Sequence, residues 1–188
     1  MRDLRQMQSV PSKFQTRAEG DDLYIEGYFS VFGGVYELWD GASETIAPGA
    51  FSETLDGDIR ALIDHESRLV LGRTTAGTLE LREDETGLWG RVKINPNDQD
   101  AMNLYERVRR GDVDQCSFGF DILDEETETR ENGEVRWTIR KVKLYEVSVV
   151  TFPAYQETSV TARKRDYDEI QKRKTEAWRE SMRKKLKE

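Results

Sequence analysis

Ser117 lies in a segment whose residue pattern would let a serine act as a nucleophile. In Cys116–Ile122, apolar residues alternate with small or polar ones. Side chains of a strand alternate between its two faces, so Cys116 points into the core with its apolar neighbours, while Ser117 and Gly119 point the other way. We therefore expect Ser117 to be presented outward. A lone strand serine is ordinarily only a surface residue, so Ser117 needs partners to act as a nucleophile.

The partners with suitable chemistry are a histidine and a glutamate. Glu146 lies within an apolar strand segment, where a carboxylate is costly unless it is paired. Its partner is either an Arg or Lys, or the only histidine, His65, at the end of the predicted strand 59–65. Ser117, His65 and Glu146 would together supply a nucleophile, a general base and an orienting carboxylate. Asp64 is a poorer third member because neighbours on a strand point apart, and the plain alternative for His65 is a solvated strand end.

The elements that must position these residues are mostly strands. Alternating patterns predict about seven of them, including 22–32, 59–65, 114–123 and a long strand over 135–151. A helix is predicted after the Asn95–Asp98 turn, because apolar residues then recur at helical spacing up to Gly111. A shorter helix is expected over 50–55. Because strands outnumber helices and do not alternate with them, we predict a mainly β (α+β) fold, either an antiparallel barrel or a sandwich, with appended helices.

Composition sets further limits. The 188 residues carry a net charge of −8, divided between residues 1–162 at −13 and residues 163–188 at +5. Such an acidic body argues against nucleic-acid binding, because phosphate contacts need clustered positive charge. No apolar run approaches a membrane span, and one Cys with one His excludes a thiolate zinc cluster or a multi-histidine metal site. We expect a flexible arm over 1–21, one domain over 22–162 and a charged helical tail over 163–188.

Five short segments, taken in order, resemble the prohead (procapsid) maturation proteases of tailed bacteriophages. The segments are Gly27–Phe32, Glu44–Phe51, Asp64–Glu66 with Leu71–Arg73, Cys116–Phe120 and Leu144–Ala154. Together they cover most of the chain between residues 22 and 162. The family is similar in fold to the herpesvirus assembly proteases, which implies a closed antiparallel β-barrel with peripheral helices.

The resemblance implies a serine endopeptidase with Ser117 as nucleophile and His65 as general base. The herpesvirus relatives use a second histidine as third member; this chain has none, so the role passes to Glu146. For the oxyanion hole or substrate binding, the candidates are Gly72, Arg73, Phe118 and Gly119, although Arg73 is alternatively a surface charge or a partner of Glu146. We expect no cofactor and no metal.

The same resemblance implies partners and a location. The expected partners are the major capsid protein with its scaffold segment and the procapsid shell, inside the host bacterial cytoplasm, with self-cleavage near the chain ends. A homodimer is left open, and no membrane partner is expected. The main alternative is a catalytically silent scaffold or assembly module. Two others are an esterase that uses the same residues and nucleic-acid binding by the basic tail.

Overall fold

The structure, a computed structural model, describes residues 5–8, 14–130, 133–152 and 157–185. Within these residues the chain forms eleven strands and two α-helices. The strands are β1 (Arg5–Gln8), β2 (Gln15–Glu19), β3 (Asp22–Val31), β4 (Tyr36–Trp39), β5 (Ala42–Ile46), β6 (Arg60–Ile63), β7 (Glu66–Arg73), β8 (Leu79–Glu83), β9 (Gly87–Ile94), β10 (Gln115–Thr129) and β11 (Val135–Val150). The helices are α1 (Gln99–Arg110) and α2 (Glu157–Lys185).

The long strand β11 is the centre of a seven-stranded sheet. The order along the sheet is β1-β10-β11-β5-β4, while β6 also pairs with β11 and β7 pairs with β6. On one edge β11 pairs antiparallel with β10; on the other it holds two parallel strands in succession, β5 at residues 135–139 and β6 at residues 146–149. Only a strand as long as β11, with 16 residues, offers room for both. This arrangement brings β6, which leads directly to His65, beside the segment that carries Glu146.

A second sheet covers the core from the other side. It has four antiparallel strands in the order β2-β3-β9-β8. Buried apolar side chains of both sheets belong to one core cluster, which includes Ile25 and Phe29 from β3, Val92 from β9, Phe118 from β10 and Val147 from β11. The large apolar area removed from water by these contacts stabilises the sheets that carry the candidate site.

Helix α1 begins and ends where its sequence signals predicted. The Asp98 side chain accepts hydrogen bonds from the backbone N–H groups of Asp100 and Ala101, and Gly111 ends the helix in the left-handed conformation at φ 82°. Helix α2 belongs to a second compact unit, residues 156–188, apart from the unit formed by residues 1–155. In the described part of the chain no helix is both long and apolar enough to span a membrane.

Three expectations from the sequence require correction. The closed antiparallel barrel is not found among the described residues, whose strands form two separate sheets, one of them mixed. Alternation indicates which strands are half-buried but not which remote edges pair, so it could not reveal the parallel partners of β11. The segment 1–21, expected as a flexible arm, contains β1 and β2, which pair with β10 and β3 through backbone groups. The helix expected at residues 50–55 is a run of turns.

Candidate active site

The candidate nucleophile lies on one face of the β10–β11 pair, among the other residues of the site. Ser117 is directly opposite Ser148, and Gly119 is directly opposite Glu146. Residues paired across an antiparallel ladder project to the same face, and so do residues two apart on one strand. Ser117, Gly119, Glu146 and Ser148 therefore share one face, as the alternation predicted separately for each strand.

Glu146 holds the imidazole of His65. Its Oε1 is 2.7 Å from His65 Nδ1, while its Oε2 accepts a hydrogen bond of 2.6 Å from Ser148 Oγ. The side chains of His65 and Glu146 are only 13% and 9% exposed, so water screens this contact little. Each carboxylate oxygen thus has a specific donor, and the histidine, rather than an Arg or Lys, is the partner of Glu146.

His65 reaches Glu146 from a tight turn between β6 and β7. Ile63 pairs with Glu66, so Asp64 and His65 are the two central residues of the hairpin. Both have positive φ, 48° and 60°, as a type I′ turn requires. The sequence pattern placed His65 at a strand end and did not predict this turn, because such turns usually carry Asn or Gly.

The second ring nitrogen of His65 is the one that can act as a base. With Nδ1 held by Glu146, the nitrogen left to accept a proton is Nε2, which is buried and makes no hydrogen bond in the described part of the protein. The structure therefore brings His65 to Glu146 but does not hydrogen-bond it to Ser117. Ser117 is linked to the pair indirectly, through Ser148 on the opposite strand.

Ser117 is more deeply buried than the sequence indicated. Its exposed fraction is 0%, whereas the alternation predicted an outward-facing residue. Every residue from Cys116 to Phe120 is buried, so both faces of β10 are covered here. Alternation distinguishes the two faces of a strand but does not show whether the polar face is also covered.

Gly119 makes room for the carboxylate of Glu146. A Cβ atom built on Gly119 would lie 2.5 Å from Glu146 Oε1, closer than real Cβ contacts allow. Only glycine therefore fits under the carboxylate in its observed position. This steric role differs from the oxyanion or substrate-binding role expected for Gly119, and it follows from the cross-strand register.

Two of the other oxyanion candidates, Gly72 and Arg73, lie away from Ser117. Gly72 pairs with Ala61 of β6, and β11 lies between β6 and β10, so Gly72 is three strands from the nucleophile strand, roughly 14 Å at normal strand spacing. Arg73 binds Asp58 through Nε and Nη2 at 2.6 and 2.7 Å on the exposed surface. Arg73 is thus a surface charge, one of the two alternatives stated for it.

Phe118 and Cys116 occupy the opposite, core-facing side of β10. Phe118 is fully buried and its ring contacts those of Phe51 and Phe120. Cys116 is 2% exposed, with Sγ 3.3 Å from the carbonyl oxygen of Tyr28. Both side chains therefore contribute to packing, and the thiol points away from the face that carries Ser117.

Ser148 also contacts the Glu146 carboxylate, although its sequence pattern was not recognised as that of a site residue. The residue is fully buried, and it orients the oxygen of Glu146 that His65 leaves unused. Its position two residues after Glu146 on the same strand was the available signal, since this spacing puts both side chains on one face. Within the described residues, no group of three or more acidic, His or Cys side chains could hold a metal ion.

Comparisons with known proteins find a similar protein and a similar solved structure. The prohead protease of Enterobacteria phage HK97 is 30% identical over 150 residues, which cover 78% of this chain and 62% of that protein. The chain thus spans less than two thirds of the length of this relative. The solved structure of the bacteriophage T4 capsid assembly protease is similar with a TM-score of 0.48 and 10% identity, over 79% of this chain and 99% of that one.

The family-level match is broader than either of these. The family model described as Caudovirus prohead serine protease matches residues 12–173, which include Ser117, His65 and Glu146 and most of the chain. The resemblance of the five short segments is thereby confirmed. The chain belongs to the Caudovirus prohead serine protease family.

Proposed function

We propose that the chain is a serine endopeptidase that cleaves the major capsid protein, its scaffold segment and itself during procapsid maturation. The observation that carries the proposal is the 2.7 Å contact between His65 Nδ1 and Glu146 Oε1, on the face that also carries Ser117. Membership of the prohead serine protease family also supports a serine peptidase. It also supports a location inside the procapsid, in the host cytoplasm, and a fold related to that of the herpesvirus assembly proteases.

The proposed reaction is acyl transfer to Ser117. Ser117 Oγ attacks the carbonyl carbon of the scissile peptide while His65 Nε2 accepts the hydroxyl proton. His65 then donates that proton to the leaving amine, and a water molecule, deprotonated by His65, hydrolyses the acyl-enzyme. Glu146 fixes the imidazole tautomer and stabilises its charged form, and Ser148 keeps the carboxylate in place.

The burial of Ser117 sets a condition on this mechanism. A serine that is 0% exposed cannot meet a protein substrate without a local opening of its cover. Since His65 Nε2 is also unpaired in the described residues, we infer that substrate binding both exposes Ser117 and completes its contact with the base.

A catalytically silent assembly module is the second candidate. The observations that favour it are again the full burial of Ser117 and the missing hydrogen bond between Ser117 and His65. Such a module would act through the procapsid shell or as a homodimer, and its buried His65–Glu146 pair would only stabilise the fold. Loss of the nucleophile would then leave capsid processing unchanged.

Co-expression with the major capsid protein of the same phage tests both candidates. We expect the wild-type chain to shorten the capsid protein, as read by intact-mass spectrometry, and Ser117→Ala or His65→Ala to leave it at full length. Ser148→Ala is the matched control, because it removes a buried hydroxyl from the same face; it should cleave more slowly but still cleave. Normal processing by Ser117→Ala would refute the proposed function.

A further inference from the structure

The turn that carries His65 has a backbone that its residues do not favour. Asp64 and His65 are the only non-glycine residues with positive φ in the described part of the chain, and they are adjacent. Side chains with a Cβ disfavour this region, and such conformations persist only when the surroundings enforce them. Something outside the two residues must therefore hold the turn in place.

Three hydrogen bonds fasten Asp64 to the end of β11. Its backbone N–H donates to the carbonyl oxygen of Val149 at 3.0 Å. Its carboxylate accepts from the backbone N–H of Thr151 at 2.7 Å and from Thr151 Oγ1 at 3.2 Å. A carboxylate that accepts two such donors makes stronger bonds than a neutral acceptor would. The turn is thus tied to the chain just beyond β11.

The contact between Asp64 and Thr151 joins the same two chain segments that carry His65 and Glu146. His65 directly follows Asp64, and Glu146 of β11 precedes Thr151, the first residue after that strand, by five residues. Fixing Asp64 against Thr151 therefore also fixes the distance from the imidazole to Glu146. We propose that the Asp64–Thr151 contact is a latch that positions His65 as the general base, a role that rests on the proposed peptidase function.

Asp64 is a positioning residue in this account, not a catalytic one. Its carboxylate binds Thr151 and not the imidazole, and the residue is exposed, whereas His65 and Glu146 are nearly buried. The latch acts only by holding the ring where Nδ1 meets Glu146 and Nε2 faces the substrate. A displacement of about 1 Å in a catalytic group can cost about 10²-fold in rate, so loss of the latch should have a large effect.

Three substitutions of Asp64 distinguish the effect of losing the latch from the effect of straining the backbone. Asp64→Gly accommodates the positive φ but removes the carboxylate, whereas Asp64→Asn tolerates the same φ and keeps an oxygen for Thr151 N–H. Asp64→Ala loses the latch and adds strain. In a peptide-cleavage assay we expect Asp64→Gly to lower kcat by about 10²-fold with KM within about two-fold. Asp64→Asn should restore kcat to within about three-fold of wild type.

Asp56→Ala is the matched control, because it removes an exposed carboxylate from another turn and should leave kcat unchanged. Thr151→Ala removes the hydroxyl donor but keeps the backbone N–H donor to the Asp64 carboxylate, so it should give a smaller loss than Asp64→Gly. This variant keeps the test informative if Asp64→Ala fails to fold. Wild-type kcat in Asp64→Gly, or a failure of Asp64→Asn to restore it, would overturn the latch.

A spectroscopic readout distinguishes this outcome from failure of the peptidase proposal. In the Ser117→Ala variant, the hydrogen shared by His65 Nδ1 and Glu146 should exchange slowly with solvent and therefore give a resonance in the proton NMR spectrum. Adding Asp64→Gly should weaken it or speed its exchange, while adding Asp64→Asn should leave it in place. An unchanged resonance with Asp64→Gly would count against the latch, whereas cleavage by Ser117→Ala itself would count only against the peptidase.

Discussion

Both oxygens of the Glu146 carboxylate are occupied by specific donors, and this fixes what each nitrogen of His65 can do. Oε1 meets His65 Nδ1 and Oε2 accepts from Ser148 Oγ. An imidazole held at Nδ1 can exchange protons only through Nε2, as a general base for Ser117 requires. The pair is therefore more than a buried ion pair: it selects one tautomer of the only histidine.

Replacing Glu146 by Gln tests this selection at the residue scale. The amide keeps the shape of the side chain but cannot stabilise the charged imidazole, so we expect cleavage to fall by about 10⁴-fold. The loss should be smaller than for Ser117→Ala, at about 10⁶-fold, because the nucleophile itself remains. The measurement is the rate of capsid-peptide cleavage, with thermal unfolding as a check on folding. An unaffected rate would remove Glu146 from the site.

Arg73 gives a second test at this scale, since its chemistry also fitted an oxyanion hole. Hydrogen bonding and charge from Arg73, with a contribution from Arg60, lower the pKa of the Asp58 carboxyl to about 2. We expect Arg73→Gln to raise the pKa of Asp58 toward the ordinary Asp range, as followed by NMR titration, while the cleavage rate stays the same. A large loss of cleavage would return Arg73 to the site.

The lowered pKa of Asp58 determines how the Arg73–Asp58 ion pair changes the stability of the fold with pH. Because the pKa of Asp58 is lower in the folded chain than in an unfolded one, the ion pair stabilises the fold above the ordinary Asp range. That contribution disappears as the pH falls toward 2. In Arg73→Gln this part of the acid dependence of unfolding should be smaller, because only Arg60 and Thr75 still lower the pKa of Asp58.

At the element scale, the register of β10 on β11 sets the geometry of the site. Gly119 lies opposite Glu146, and a single methyl group there would collide with Oε1. We expect Gly119→Ala to displace the carboxylate and lower cleavage by at least about 10²-fold. The proton resonance of the His65–Glu146 contact should be lost as well.

Cys116→Ser is the control for that substitution, because it lies on the same strand but on the core-facing side. It should keep substantial activity, since Cys116 faces Tyr28 and Phe29 rather than the site. If Gly119→Ala cleaves at the wild-type rate, cleavage does not depend on the observed position of the Glu146 carboxylate. Complete loss in Cys116→Ser would instead challenge the assignment of faces on β10.

The sequence was informative about local patterns and less so about long-range pairing. Alternation along β10 and β11 separated Ser117 and Glu146 from their core-facing neighbours, and the cap at Asp98 with Gly111 bounded α1. The pairing of β6 with β11, which delivers His65, joins segments about 85 residues apart and leaves no local signal. The cover over Ser117 could not be predicted for the same reason, whereas the left-handed turn at Asp64 was missed because such turns usually carry Asn or Gly.

At the scale of the whole molecule, two sheets pack around one core, and the long strand β11 of the larger sheet has partners on both of its edges. This architecture brings β6 beside the β10–β11 pair, and so His65 to Glu146, without a closed barrel. The acidic body and the basic residues after Arg163 differ in charge, which fits a body that acts on protein rather than on nucleic acid. Family membership is the ground on which we propose capsid protein as the substrate.

Covalent labelling with a fluorophosphonate, mapped by peptide mass spectrometry, tests the central claim most directly. The reagent reacts with serines that a neighbouring base activates. With capsid protein present, so that substrate binding can expose Ser117, we expect one adduct on Ser117 in the wild-type chain and almost none in His65→Ala. An adduct on Ser148 or another residue, equal labelling in His65→Ala, or no adduct in a chain that still cleaves capsid protein would contradict the account.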